Sequence, residues 1–248
     1  MTMLRCAVLD DYQKAAMAHA DWAALDGRVE VTCFHDYLAP EALPAALAGF
    51  DIIVAMRERT RFDAALLETL PQLKLLVTTG MANASIDMAA AKRLGITVCG
   101  TKSLGNHTPE LTWGLLLALA RQIPVEHGHV RDGRWQESVG KDLSGATLGI
   151  IGLGRIGKVI ARYARAFDMQ VVAWSPNLTV ERCAEVGAVL APSLPMLMAA
   201  SDFVTIHMAL APSTRHLVNA EAIAQMKPDG YLMNTSRGPL VDNEALLA

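Results

Sequence analysis

Short apolar runs alternate with segments of helical spacing along this chain. The runs at 5–10 (RCAVLD), 29–34 (VEVTCF), 51–56 (DIIVAM), 74–79 (KLLVTT) and 96–100 (ITVCG) are continuously apolar rather than alternating. That is the pattern of strands covered on both faces of a parallel sheet. Between them, 12–24, 40–48, 62–70 and 85–94 read as helices. In the last, Ser85 is placed to cap the start, Lys92 and Arg93 suit the final turn, and Gly95 ends it. A long apolar helix is predicted at 108–121. A second alternating run follows, with strand into turn at 146–154, helix at 155–167, strand at 170–175, helix at 180–187, and strands at 202–207 and 231–236. Near the end, Asp242 is predicted to cap a helix with Glu244 in its first turn. Repeated β-α-β order makes the fold class α/β, with two doubly wound parallel-sheet domains. The boundary is expected near 101–106, giving domains 1–103 and 104–248.

Composition narrows the function. The 248 residues are 52% hydrophobic and 19% charged, enough for two ordered cores. A net charge of −3 without a basic cluster argues against a nucleic-acid partner. The longest apolar stretch, WGLLLALA, is far short of the roughly 20 residues that cross a membrane, and the apolar run at the N-terminus is short for a secretory signal. Cys6, Cys33, Cys99 and Cys183 form no CxxC pair and are expected to be small buried thiols in a cytoplasmic, reducing compartment. His127 and His129 find no third ligand in the sequence and read as a solvated helix end rather than a metal site.

One motif carries chemistry. Gly152, Gly154 and Gly157 stand in GxGxxG spacing directly after an apolar strand and at the opening of a helix. In that context Gly152 permits a tight turn, Gly154 lets backbone approach a pyrophosphate, and Gly157 lets helix and strand pack closely. The helix N-terminus turns free N–H groups and the positive dipole end toward the phosphates. An NAD site calls for an acid at the end of the next strand, about 20 residues on. Ser175 stands there instead, eighteen residues beyond Gly157, with Arg182 the nearest arginine. The choice between NAD and NADP stays open.

With these pieces in place, the chain resembles the D-isomer-specific 2-hydroxyacid dehydrogenase family. The resemblance rests on TTGMANASIDMAAAKRLGITVCGT, ELTWGLLLALAR, LGIIGLGRIGK, SDFVTIHMALAPSTRHLVN and MKPDGYLMNTSRGPLVDNEAL. It implies a flavodoxin-like substrate domain and a Rossmann coenzyme domain, the latter incomplete at its C-terminus. It implies reduction of a small 2-oxo acid, of glyoxylate or hydroxypyruvate type, to a D-2-hydroxy acid with NAD(P)H. Backbone N–H groups of Met81 and Ala82 would hold the substrate carboxylate. Arg237 would grip the carboxylate and the neighbouring carbonyl oxygen. Arg155 and Ile156 would supply backbone at the pyrophosphate, and His207, Thr214 and Thr235 would lie against the coenzyme. A homodimer built around the long helix and 121–147 is implied as well, with Trp135 on the contact surface.

The pattern breaks in one place. The family's proton donor is a histidine steered by a glutamate, both downstream of the arginine, and neither appears in these 248 residues. The expectation is a truncated form of a longer protein, with His207 and His107 the only candidate substitutes. A dinucleotide-binding module without turnover is the alternative. An amino-acid dehydrogenase would need a cleft lysine, for which there is no good candidate.

Overall fold

A computed structural model describes residues 3–102 and 105–248. The chain forms two compact units, Met1–Leu104 and Gly105–Ala248. The boundary expected at 103–104 falls on residues outside those described.

In the first unit five short strands, β1 (Leu4–Val8), β2 (Val29–Cys33), β3 (Ile52–Ala55), β4 (Leu75–Thr78) and β5 (Thr97–Gly100), pair in the order β2-β1-β3-β4-β5, all parallel. The helices are α1 (Leu43–Leu47), α2 (Ala64–Glu68) and α3 (Met88–Arg93). Ala7, Ile53 and Leu76, on the three central strands, are fully buried, as continuous apolar runs require. The strand order reverses between β1 and β3. In open sheets of this kind ligands settle beyond the carboxyl ends of the strands at such a reversal.

The second unit opens with α4 (His107–Ala120) and α5 (Ile123–Arg131). Its strands are β6 (Thr147–Ile151), β7 (Gln170–Trp174), β8 (Val189–Leu190), β9 (Phe203–Ile206) and β10 (Tyr231–Asn234), parallel in the order β10-β9-β6-β7-β8. Its remaining helices are α6 (Arg155–Ala166), α7 (Val180–Ala184), α8 (Leu194–Ala200), α9 (Ala220–Ile223) and α10 (Asn243–Leu247). The reversal lies between β6 and β9, whose residues Leu148, Ile150, Phe203 and Val204 are fully buried. At the amino ends of these strands Asp202 accepts from the Thr147 amide at 2.8 Å and from Lys227 at 2.9 Å, with Lys141 at 3.5 Å. Burial pushes this carboxyl up, but those three groups outweigh burial and hold it below the usual carboxylate range.

Several expectations are corrected. Residues 12–24 form two 3-10 turns, Ala16–Ala18 and Trp22–Leu25, and no α-helix. Lys14 is left-handed, at φ 54°, and the Asp11 carboxylate takes the amides of Ala15 and Ala16, so the local side chain competes with helical bonding. The cap of α3 is Asp87, whose carboxylate accepts from the Ala90 amide at 2.9 Å; Ser85 lies earlier in the loop. Cys6 and Cys183 are buried, but Cys33 is half-buried and Cys99 exposed, because β2 and β5 are the edges of their sheet. The sequence reading also omitted the short strand β8 and helix α8. Asp242 caps α10 as expected, accepting from the amides of Glu244 and Ala245. Among the described residues no helix is long and apolar enough to cross a membrane.

Candidate functional site

The glycine motif sits where β6 runs into α6. Gly152 adopts φ 99°, donates its amide to Trp174 O of β7 at 2.8 Å, and would bring a Cβ to 2.7 Å from His207 O. A Cβ on Gly157 would fall 2.3 Å from Gly152 O. Both glycines are thus required by the protein's own packing. Gly154 is different. Its backbone is extended (φ −84°, ψ −156°), and an added Cβ would meet nothing within 4 Å. The protein does not need glycine there, but something that approaches the backbone from outside would.

Helix α6 follows. Val159, Ile160, Ala161 and Ala164 are buried, while Arg155, Arg162 and Arg165 face outward. No side chain caps its start, so the amides of its first turn, which have no intrahelical acceptor, stay open to an anion. Arg155 and Ile156 are its first two residues. Ser175, half-buried, closes β7; its carbonyl accepts from the Leu178 amide at 3.1 Å.

Beside this turn, on the far side of the strand-order reversal, His207 directly follows β9. Its amide donates to Ile151 O at 2.7 Å, and its ring Nε2 lies 3.0 Å from Thr205 Oγ1. Burial lowers its pKa to about 4, so the ring is neutral at neutral pH. Being lowered below the unfolded value near 6.5, it adds stability that is complete above about pH 6.5 and is lost as pH falls toward about 4. In an NMR titration His207 is therefore expected to stay neutral at pH 5.5, and acidification to pH 4 should lower the melting temperature by about 3 °C more than in His207→Gln. A midpoint near 6.5 for this ring would contradict the assignment.

One strand further out, β10 leads to Arg237. Three bonds shape this turn. Ser236 Oγ donates to Ile206 O at 2.9 Å, the Ser236 amide donates to Asn234 Oδ1 at 3.0 Å, and Asn234 Nδ2 donates to Arg237 O at 2.9 Å. The half-buried Arg237 directs one guanidinium N–H to Ser236 O at 3.1 Å. Just before it, Thr235 Oγ1 lies 2.7 Å from Thr112 Oγ1, and the Thr112 hydroxyl is also 2.8 Å from Thr108 O on α4. Sequence reasoning missed Thr112, Asn234 and Ser236. The one available signal was a threonine inside the apolar run of α4. Thr214 is 8% exposed and its hydroxyl is engaged by Ala209 O, Ala211 O and the Ala211 amide. Its geometry is that of a loop brace.

Gly152, His207, Thr235 and Arg237 therefore converge at the carboxyl ends of three adjacent strands, β6, β9 and β10. In the first unit, Met81 and Ala82 are exposed in the loop after β4, and neither amide donates to a protein acceptor among the described residues. His107, first residue of α4, is exposed. Among the described residues no cluster of three His, Cys, Asp or Glu could hold a metal ion.

The family model described as "D-isomer specific 2-hydroxyacid dehydrogenase, NAD binding domain" matches residues 113–248. The chain belongs to the D-isomer specific 2-hydroxyacid dehydrogenase family. It is 36% identical to a hydroxypyruvate reductase of Thermotoga maritima over 228 residues, 88% of this chain and 70% of that protein. It is 35% identical to a D-3-phosphoglycerate dehydrogenase of Methanocaldococcus jannaschii over 89% of this chain and 42% of that protein. Thus the chain spans less than half the length of some relatives in this dehydrogenase family. Among solved structures, a phosphoglycerate oxidoreductase of Vibrio cholerae O395 superposes with a TM-score of 0.92 at 36% identity, covering 98% of this chain and 79% of that one. These matches support both the doubly wound fold and the NAD-type coenzyme domain of a 2-hydroxyacid dehydrogenase.

Proposed function

We propose that this chain provides the coenzyme site and the carboxylate-binding groups of an NAD(P)H-dependent reductase of small 2-oxo acids, of the glyoxylate or hydroxypyruvate type, acting in the cytoplasm. The observation that carries the reading is Gly154, a glycine the protein's packing does not need, placed before the uncapped N-terminus of α6. A pyrophosphate would accept from the amides of Arg155, Ile156 and Gly157, and His207, Thr214 and Thr235 would border the rest of the dinucleotide. Gly105–Ala248 is then the coenzyme unit and Met1–Leu104 the substrate unit. When bound, the reduced nicotinamide supplies a hydride. Arg237 orients the oxo acid and polarises its carbonyl, because a guanidinium offers two parallel donors to a carboxylate and a third to the adjacent oxygen. The Met81 and Ala82 amides of the first unit would donate to the substrate carboxylate.

Two names among the relatives carry different acids, hydroxypyruvate and phosphoglycerate. The smaller acids are favoured here by what the proposed groups recognise, which is one carboxylate and its neighbouring carbonyl. Ser175 in place of an acid at the end of β7 leaves room for either NADH or NADPH. Calorimetric titration with each coenzyme tests the site, and no heat with either one, on folded protein, would remove the reading. The neutral, hydrogen-bonded His207 is unsuited to donate a proton, which favours binding without turnover as the second reading. Coenzyme oxidation in the presence of hydroxypyruvate separates the two.

We also propose a homodimer, a reading supported by exposed apolar residues of the second unit. Leu111, Leu115 and Leu119 recur every fourth residue along α4 and are exposed, and Ile123, Trp135 and Val139 add to the apolar surface nearby in sequence. Sedimentation should show a dimer in the native protein and a monomer for Leu115→Glu; equal mass for the two would exclude this face.

A further inference from the structure

The loop given above to the substrate carboxylate is held from outside, by Thr101 Oγ1 on the Gly80 amide at 2.9 Å and by Ala55 O on the Thr79 amide at 3.0 Å, and a further line of support leads to a buried carboxylate. Asp10, at the carboxyl end of β1, is 4% exposed and left-handed, at φ 58°. Its Oδ2 accepts from Thr60 Oγ1 at 2.7 Å and its Oδ1 from the Tyr12 hydroxyl at 2.9 Å, while its carbonyl accepts from Arg59 at 2.7 Å. The Arg59 guanidinium also lies over the Tyr12 ring, 4.7 Å from its centroid. Residues 57–60, the connection after β3, are thereby fastened to the end of β1 across the strand-order reversal.

That connection in turn grips the loop after β4. The Arg57 amide donates to Thr79 Oγ1 at 3.1 Å, and Arg57 O accepts from Asn83 Nδ2 at 2.5 Å. Asn83 also donates to Thr78 Oγ1 at 3.0 Å and accepts from the Ser85 amide at 2.8 Å. Arg57 is itself left-handed, at φ 52°, a costly conformation for a long side chain. Held this way, its backbone turns one donor and one acceptor to the two ends of 79–83. Met81 and Ala82, between those ends, have no protein acceptor of their own among the described residues.

We infer that the Asp10–Thr60 hydrogen bond and Asn83 are positioning elements for oxo-acid binding. They set the separation and direction of the Met81 and Ala82 amides through residues 57–60. This rests on the reading that those amides bind the substrate carboxylate. Preorganised donors bind an anion more tightly because less ordering remains to be done on binding. Carboxylate contact is common to ground and transition states, so its loss raises KM and leaves kcat nearly unchanged.

The test follows the backbone amides of Met81 and Ala82 by NMR while oxalate is added to the full chain, in wild type, Thr60→Val, Thr60→Ser and Asn83→Ala. Valine keeps the shape of threonine and removes the hydroxyl; serine keeps the hydroxyl. Wild type and Thr60→Ser should show both amides shifting with the same affinity. Thr60→Val and Asn83→Ala should bind oxalate about tenfold more weakly, a difference of about 1.4 kcal/mol, with coenzyme affinity unchanged. Coenzyme affinity, read in the other unit, guards against general unfolding. If both amides respond equally in wild type and Thr60→Val, the positioning inference is overturned. If they do not respond in wild type at all, the carboxylate reading beneath it fails instead.

Discussion

Gly154→Val should leave the protein folded and nearly abolish coenzyme binding. The backbone at Gly154 is extended and the space beyond its Cα is empty, so the branched side chain costs the fold little, and the melting temperature should stay within about 2 °C of wild type. The same side chain would stand where a pyrophosphate must come to reach the first-turn amides of α6. Loss of two hydrogen bonds to a charged group, each worth about 1.5–3 kcal/mol, weakens binding by at least about 100-fold. Gly152→Val makes the opposite case. A left-handed φ of 99° and a Cβ 2.7 Å from His207 O put strain on the junction of β6 and β9, and about 3 kcal/mol or more of stability should disappear. Calorimetry and thermal melts on the two variants distinguish a ligand-facing glycine from a packing glycine. NADH affinity left intact in Gly154→Val would mean that the dinucleotide binds elsewhere.

Arg237→Ala should lower kcat/KM for hydroxypyruvate by about 1,000-fold while leaving coenzyme affinity within about twofold. A paired guanidinium–carboxylate contact of two charge-assisted bonds is worth about 4 kcal/mol when desolvated. Arg237→Lys should recover little, since an ammonium cannot present two parallel donors. The turn itself should survive both changes, because the bonds from Asn234 Nδ2 to the Arg237 carbonyl, from the Ser236 amide to Asn234 Oδ1 and from Ser236 Oγ to Ile206 O are all kept in either variant. Steady-state rates with saturating coenzyme decide the matter. A kcat/KM in Arg237→Ala within tenfold of wild type would remove this residue from substrate binding.

The apolar runs marked all five strands of the first sheet and β6, β7, β9 and β10 of the second, since burial on both faces leaves an unbroken greasy signal. β8 escaped because a two-residue edge strand, half exposed, has no such signal. The false helix at 12–24 shows the limit from the other side. Its alanines favour helix, but the buried Asp11 carboxylate captures two of its amides, and that depends on where β1 ends. The glycine motif was legible as a motif, with strand before and helix after. Its three glycines already carried separate tasks in the sequence, and the packing adds that a side chain at Gly152 or Gly157 would collide with the protein's own backbone while one at Gly154 would meet nothing within 4 Å.

Local pattern alone thus determined the α/β class, two doubly wound sheets, the glycine turn between β6 and α6 and the position of an arginine after the last apolar strand. These depend on periodicity and on residues close in the chain. Which distant groups meet was decided by the tertiary structure: Thr235 against Thr112, Ser236 on Ile206, Thr60 on Asp10, and a neutral His207 behind Gly152. Such meetings, and the desolvation that lowers the affinity of a histidine for protons, arise from how strands are ordered within each sheet. Strand order is a property of the folded chain that no single segment carries.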